Sequence, residues 1–247
     1  MNGSIGDMAA RLGLVDISSS ISKFSLTAAE EDWTYEHFLK AILADQEERD
    51  DLRSREAMLK FAGFPYQKTI QDFDFGFQKS ISPTVIAELA DLGWIKVKQN
   101  IVFLGPPGTG KTHLAIALGI EACKRRYRVR FTTCADLITK LKEAKERNTY
   151  SRRLASYTRS SLLIIDEVGF NPLNAFEAAL LFDVICQRYE HGSVILTSNK
   201  SFTEWAEIFS GDAVIATALL DRLLHHSKSF SLKGDSFRMK EFRESKP

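Results

Sequence analysis

Eight consecutive residues, Gly105-Pro106-Pro107-Gly108-Thr109-Gly110-Lys111-Thr112, have the types and spacing to hold a chain of phosphates. They match G-x-x-x-x-G-K-[ST]. Glycines let backbone N–H groups turn inward around phosphate oxygens, and the helix that follows adds the positive end of its dipole. Lys111 can reach the β- and γ-phosphates, and the Thr112 hydroxyl can ligate magnesium. His113 follows at once and is counted with the nucleotide-binding stretch. The expected ligands are ATP and Mg2+.

A second constellation begins 50 residues after Thr112, at Leu162-Leu-Ile-Ile-Asp166-Glu167. An apolar run ending in an acid is common in buried strands. Coupled to a phosphate loop it becomes a Walker B candidate, with Asp166 on the metal and Glu167 as general base for the attacking water. Val194-Ile-Leu-Thr-Ser-Asn199 ends another apolar run on a polar residue. If that strand lies between the other two, Asn199 sits beside the γ-phosphate and can orient water; otherwise it is a strand-end turn. Arg222, after Asp221, has two readings: a surface ion pair, or an arginine reaching a neighbouring subunit's γ-phosphate. Arg238 is a weaker candidate for nucleotide sensing, with solvent exposure the plainer reading.

These residues need elements to hold them. Strands are expected at 100–104, 129–133, 162–165, 194–197 and 230–232, with helices at 111–126, 135–147, 174–189 and 213–224. Five strands separated by helices predict an α/β domain with a mainly parallel sheet. Upstream, Thr34 caps a helix that ends at Gly63. Between Glu30 and Glu56 stand ten acidic and four basic residues, read as a solvated helical middle, with a partner-docking helix as the alternative. Residues 1–33 read as loose, with one short helix near Met8–Leu14. Phe73, Phe75 and Phe77 alternate with polar residues or glycine, predicting an extended segment with one apolar face. It is expected to clamp onto the next domain; contact with a nucleotide base is the other reading. The expected domains are 1–64 (helical), 65–83 (linker) and 84–247 (ATPase).

The chain has 247 residues, 44% hydrophobic and 26% charged, with a net charge of +1, so overall charge names no partner. Local charge does. Residues 124–159 hold twelve Lys/Arg against three acids, a concentrated positive segment suited to nucleic-acid phosphates or to solvated helix faces. Lys140, Lys142, Lys145, Arg152 and Arg153 are the candidate DNA contacts. No apolar run approaches a membrane span. The N-terminus lacks a secretory pattern, and Cys123, Cys134 and Cys186 form no CxxC pair. A cytoplasmic protein without disulfides is expected. His225-His226 has no third ligand nearby and reads as surface histidines.

GPPGTGKTHLAIALG, LLIIDEVGF, ILTSN and FTEWAEIFSGDAVIATALLDRLLHHS together resemble the IstB family, AAA+ ATPases encoded beside the transposase of an insertion-sequence family. The likeness spans roughly residues 34–240, and the surroundings of Trp205 and Leu223-Leu-His-His226 are its more specific part. It implies that Asn199 is sensor 1 and Arg222 the arginine finger. Only 25 residues follow Arg222, so no full C-terminal lid is expected, which makes a sensor-2 role for Arg238 doubtful. The family implies ATP-dependent self-assembly into a ring or filament on duplex DNA, target-site selection and stimulation of a cognate transposase. A DnaC-like helicase loader shares the same core. A non-enzymatic module with a degenerate loop is disfavoured by the presence of Lys111, Thr112, Asp166 and Glu167. A small-molecule kinase has no substrate motif to support it.

Overall fold

A computed structural model of the chain describes residues 4–209 and 213–244. The elements run α1 (Ile5–Arg11), α2 (Ile17–Glu30), α3 (Tyr35–Ala62), α4 (Pro83–Ala90), α5 (Gly93–Lys96), β1 (Asn100–Leu104), α6 (Lys111–Lys124), β2 (Val129–Thr133), α7 (Cys134–Glu146), α8 (Tyr150–Thr158), β3 (Leu162–Val168), α9 (Ala175–Arg188), β4 (Ser193–Ser198), α10 (Trp205–Ile208), α11 (Ala213–Leu224), β5 (Ser227–Ser231) and α12 (Phe237–Glu244). They fall into two compact units, Met1–Ala57 and Met58–Pro247.

In the first unit, the described part of the stretch expected to be loose, residues 4–33, is mostly helical, in α1 and α2. The cause is partly polar. Asp45 of α3 is 8% exposed and accepts hydrogen bonds from Ser20 Oγ (2.7 Å), Lys23 Nζ (2.6 Å) and Arg49 Nε (2.8 Å). A buried carboxylate must be paired, and this pairing ties α3 to the serine-rich α2, whose Ile17, Ile21, Phe24 and Ala28 also form a half-buried apolar stripe at helical spacing. Part of the acidic middle of α3 is therefore bound internally rather than solvated.

The second unit is a five-stranded sheet in the order β2-β3-β4-β1-β5, with every pairing parallel. Alternation of side chains builds two cores. Ile101, Phe103, Leu162, Ile164 and Ile195 face α4–α6, while Val102, Leu163, Ile165, Val194 and Leu196 face α7–α9 and α11. Both faces are covered, so the strands read as continuous apolar runs. α6 is buried on nearly all sides, which fixes the helix N-terminus that closes the phosphate loop.

Arg188, 1% exposed, closes the lower edge of the second core. Its guanidinium donates to the carbonyls of Tyr157 (2.9 Å), Ser160 (2.9 Å) and Ser193 (2.6 Å), tying the end of α8 to the starts of β3 and β4. Burial lowers its pKa to about 10, but the carbonyl cage and the negative end of α8 favour the charge. Arg188→Ala leaves these carbonyls without donors, a loss on the order of 3 kcal/mol. For a unit of this size that corresponds to a fall in Tm of roughly 6–12 °C. Thermal unfolding by circular dichroism reads it, and an unchanged Tm contradicts the role.

Residues 65–82 form turns, not the extended segment expected from Phe73, Phe75 and Phe77. The alternation of burial survives, with Phe73 buried and Phe75 and Phe77 half-buried. Backbone bonds stay local, from Phe73 N to Ile70 O and from Gln78 N to Asp74 O, so no ladder forms.

Candidate functional site

β1 ends at Leu104 and α6 begins at Lys111, so the glycine-rich loop joins the C-terminal end of a central strand to a helix N-terminus. That is where parallel α/β sheets place ligands. Gly108 has φ +80° and Gly110 φ +91°, a region that side chains disfavour. A Cβ at Gly110 would also lie 2.5 Å from the Phe73 ring, so the loop's tightness is shared with the turn segment packed on it. Gln78 Nε2 donates to Thr109 O at 3.1 Å, and His113 Nε2 lies 2.7 Å from Thr69 O. On the other side, Phe237 N donates to Gly108 O at 2.9 Å. Between these two straps is a cavity lined by Tyr66, Phe73, Phe77, His113, Phe237 and Arg238, next to the loop. Burial lowers the His113 pKa, and burial with the charges of Asp166 and Glu167 raises that of Tyr66.

Lys111 is 8% exposed, and its Nζ donates to Gly105 O and Pro106 O, each at 2.7 Å. Burial lowers its pKa to about 8; Asp166 opposes this and Arg238 adds to it. Phosphate oxygens stabilise the ammonium, so a bound nucleotide raises that value. Nucleotide affinity is therefore full below about pH 8 and falls above it, by up to about tenfold per pH unit, with proton uptake on binding. Titration calorimetry near pH 9 in two buffers of different ionisation enthalpy measures that uptake. Equal heats in both buffers, with affinity flat from neutral pH, contradict it.

Thr112 Oγ1 donates to Asp166 Oδ1 at 2.8 Å, although the two are 54 residues apart. β4 lies between β3 and β1, so the arrangement on which the Asn199 reading depends is present. Asn199 follows the end of β4 on the phosphate-loop edge and is exposed. A hydroxyl and a carboxylate converging on one point are hard oxygen donors. They fit magnesium, which takes one or two protein oxygens beside phosphate and water. Among the described residues there is no cluster of three or more His, Cys, Asp or Glu to suggest another metal.

Glu167 departs from the strand geometry in an informative way. Along β3, Ile165 pairs with Leu196 and Val168 with Ser198, so β3 carries one extra residue. This is a bulge, and Glu167 sits in it with φ +60°, its side chain exposed. Without the bulge, a residue next to inward-facing Asp166 would point into the opposite core. With it, Glu167 lines the same cavity as Thr112, Asp166 and Arg238. The pin is Thr197, 1% exposed, a residue inside the ILTSN run to which the sequence assigns no role. Its Oγ1 donates to Asp166 Oδ1 at 2.5 Å and accepts from Glu167 N–H at 3.0 Å. Strained backbone persists where surrounding structure fixes it. Thr197→Val keeps the shape and removes both bonds. A hydrogen bond to a charged group is worth about 1.5–3 kcal/mol, so ATP turnover should fall roughly 10–150-fold. KM should change little, and Thr197→Ser should recover most of the rate. Equal turnover for Val and wild type contradicts the assignment.

The remaining candidates are dispersed. Arg222 Nη1 donates to Ala218 O at 3.0 Å, and the guanidinium lies over the Phe182 ring, 5.0 Å from its centroid. The next residue, Leu223, accepts at its carbonyl from Asn100 Nδ2 at the start of β1. The loop leaves the other end of that strand, four steps or about 13 Å away. Arg238, expected in solvent, is exposed yet lines the cavity of Thr112 and Asp166. Lys142 pairs with Glu177 (3.1 Å), Lys145 lies over Tyr150 and Phe176, and Lys140 borders the Asp166 cavity. Arg152 faces a separate cavity and Arg153 is exposed. Cys123 and Cys134 are buried, and burial pushes both thiols up to about 12, as befits inert core residues.

The chain is 44% identical over 243 residues to the ATP-binding protein of insertion sequence IS5376 from Geobacillus stearothermophilus, covering 98% of this chain and 96% of that one. It is 43% identical over 235 residues to the corresponding IS21 protein of Pseudomonas aeruginosa, covering 95% and 88%. Among solved structures, DnaI matches with a TM-score of 0.57 at 17% identity, covering 73% of this chain and 92% of that one. AMPPCP-bound DnaA from Aquifex aeolicus matches at 0.58 and 23% identity, covering 73% and 54%; this chain spans about half of that protein. These structural likenesses show a shared AAA+ fold. The family model described as IstB-like ATP binding protein matches residues 7–245, and the chain belongs to that family.

Proposed function

We propose that this protein is an ATP-hydrolysing AAA+ protein that assembles on duplex DNA, selects the target site and stimulates the transposase of its insertion sequence. The observation that carries the ATPase reading is the convergence of Thr112 and Asp166, 2.8 Å apart, with Glu167 turned by a bulge into the same cavity. Thr112 and Asp166 would hold magnesium there, and its charge would offset that of the phosphates. Lys111 exchanges the Gly105 and Pro106 carbonyls for phosphate oxygens. Glu167 accepts the proton of the attacking water, and Asn199 orients that water. Arg222 acts on a neighbouring subunit's nucleotide, because its own loop lies at the other end of β1. The aromatic cavity beside the loop, between Phe73 and Phe237, suits the base.

The transposition reading rests on relatives from insertion sequences that align over nearly the whole chain. The rival is helicase loading, favoured by the fold likeness to the DnaC helicase loader at a TM-score of 0.51 and 23% identity. Affinity capture separates them. The protein, with ATP and duplex DNA, should retain the transposase encoded beside its gene. Retention of a hexameric replicative helicase instead, with no transposase, favours the loader.

A further inference from the structure

Four of the twelve basic residues in the 124–159 segment line one cavity: Arg128, Arg130, Arg152 and Arg159. It has a volume of about 540 Å³ and is bordered by Phe61 and by the serines of α8. No carboxylate lines it. Among the described residues, none of the four arginines makes an ion pair, whereas neighbouring Lys124, Arg125 and Lys142 do. Arg128 and Arg130 lie over the Phe61 ring, at 5.3 and 5.6 Å from its centroid. Arg130 Nε is buried without a hydrogen-bond partner. Like charges gathered without acids repel one another, and a buried donor without an acceptor is costly. An anion relieves both.

The setting narrows the anion. Guanidinium forks match phosphate oxygens bidentately, and stacking on an aromatic ring fixes their planes in advance. The first turn of α8, with Ser151 and Arg152 on the cavity wall, has no side-chain cap on its N–H groups. Arg128, Arg152 and Arg159 are exposed, so the cavity opens outward along β2, the edge strand of the sheet. An open row of unpaired arginines suits a string of phosphates better than one enclosed ion. Blunting of the sheet edge by charge is the competing explanation; it predicts no ligand.

We infer that this cavity is the seat for the phosphodiester backbone of nucleic acid. The inference rests on the DNA-binding reading above and assigns it to arginines around β2 and α8 rather than to the lysines of α7. Arg130 and Phe61 also line the cavity that holds Thr112, Asp166 and Glu167. The two cavities therefore share a wall, and β2 is paired to β3 with Thr133 opposite Asp166.

The test is the salt dependence of binding to a fluorescent DNA duplex, measured by anisotropy with ATP present. Three double variants are compared with wild type: Arg128→Gln/Arg159→Gln, Arg128→Lys/Arg159→Lys, and the paired control Lys124→Gln/Arg125→Gln. Thermal melting and ATP binding verify that each is folded. Neutralising one phosphate-binding arginine should reduce the slope of log K against log salt by about one. The glutamine pair at Arg128 and Arg159 should therefore lower the slope by about two and bind more weakly on every sequence. The lysine pair should keep most of the slope, and the control should match wild type. Wild-type affinity and slope in the glutamine pair overturn the inference, as does an equal drop in the control. If wild type binds duplex but the glutamine pair is unaffected, only the cavity assignment falls. If wild type binds no duplex at all, the DNA-binding reading falls with it.

Discussion

Arg222→Ala should bind ATP with near-normal affinity and lose at least about 10³-fold in turnover, the lower end of what an arginine supplied to a phosphoryl-transfer site contributes. The structural reason is direction. Arg222 packs over Phe182 and sits next to Leu223, whose carbonyl is bonded at the start of β1, while the phosphate loop is at that strand's end. On the proposed reading the arginine therefore serves another subunit. Mixing Arg222→Ala with Lys111→Ala should recover part of the activity, because one variant keeps an intact pocket and the other keeps the arginine. Absence of rescue at every mixing ratio, with both variants folded and assembling, indicates a role within its own chain.

Glu167→Gln should retain ATP binding and slow hydrolysis by about 10²–10⁴-fold, the usual contribution of a general base. An amide has nearly the same shape and cannot take the proton. The bulge makes this test cleaner than usual. Glu167 is exposed, and its backbone N–H, not its side chain, bonds to Thr197, so the substitution leaves the support of Asp166 in place. Steady-state turnover and nucleotide binding measured together decide it. Unchanged turnover removes Glu167 from the reaction.

Much of the nucleotide site is legible in the sequence because its parts are local or periodic. The loop from Gly105 to Thr112 lies in one stretch, and the apolar runs of β1, β3 and β4 bracket it. What escapes depends on contacts between distant segments. Thr197 matters through a bulge that appears only when β3 and β4 are in register. Arg238 reaches the site because Phe237 N bonds to Gly108 O, 129 residues earlier, a contact with no signal in local pattern. α2 is readable in part, from Ile17, Ile21, Phe24 and Ala28 at helical spacing, but its serines mask that stripe and the buried Asp45 that also holds it comes from a distant segment. The Phe73–Phe77 alternation imitates an extended segment because turns with alternating burial share its period of two. The basic segment is visible as charge, but not the division between α7 lysines engaged with Glu177 or aromatic rings and the arginines around β2.

On the proposed reading, nucleotide state controls assembly on DNA. One subunit presents few phosphate-binding groups, so its affinity should be weak and salt-sensitive. An assembly repeats those groups along the duplex, and linkage can raise binding by about 10²–10⁴-fold without a new kind of contact. Sedimentation combined with duplex-DNA anisotropy, in ATP, in ADP and without nucleotide, measures both halves at once. With ATP, and more persistently with Glu167→Gln and ATP, large complexes on duplex DNA are expected, and few with ADP. Reciprocity requires DNA to stabilise the ATP-bound assembly in return. Equal DNA affinity in all three states, at unchanged particle size, contradicts nucleotide control of assembly.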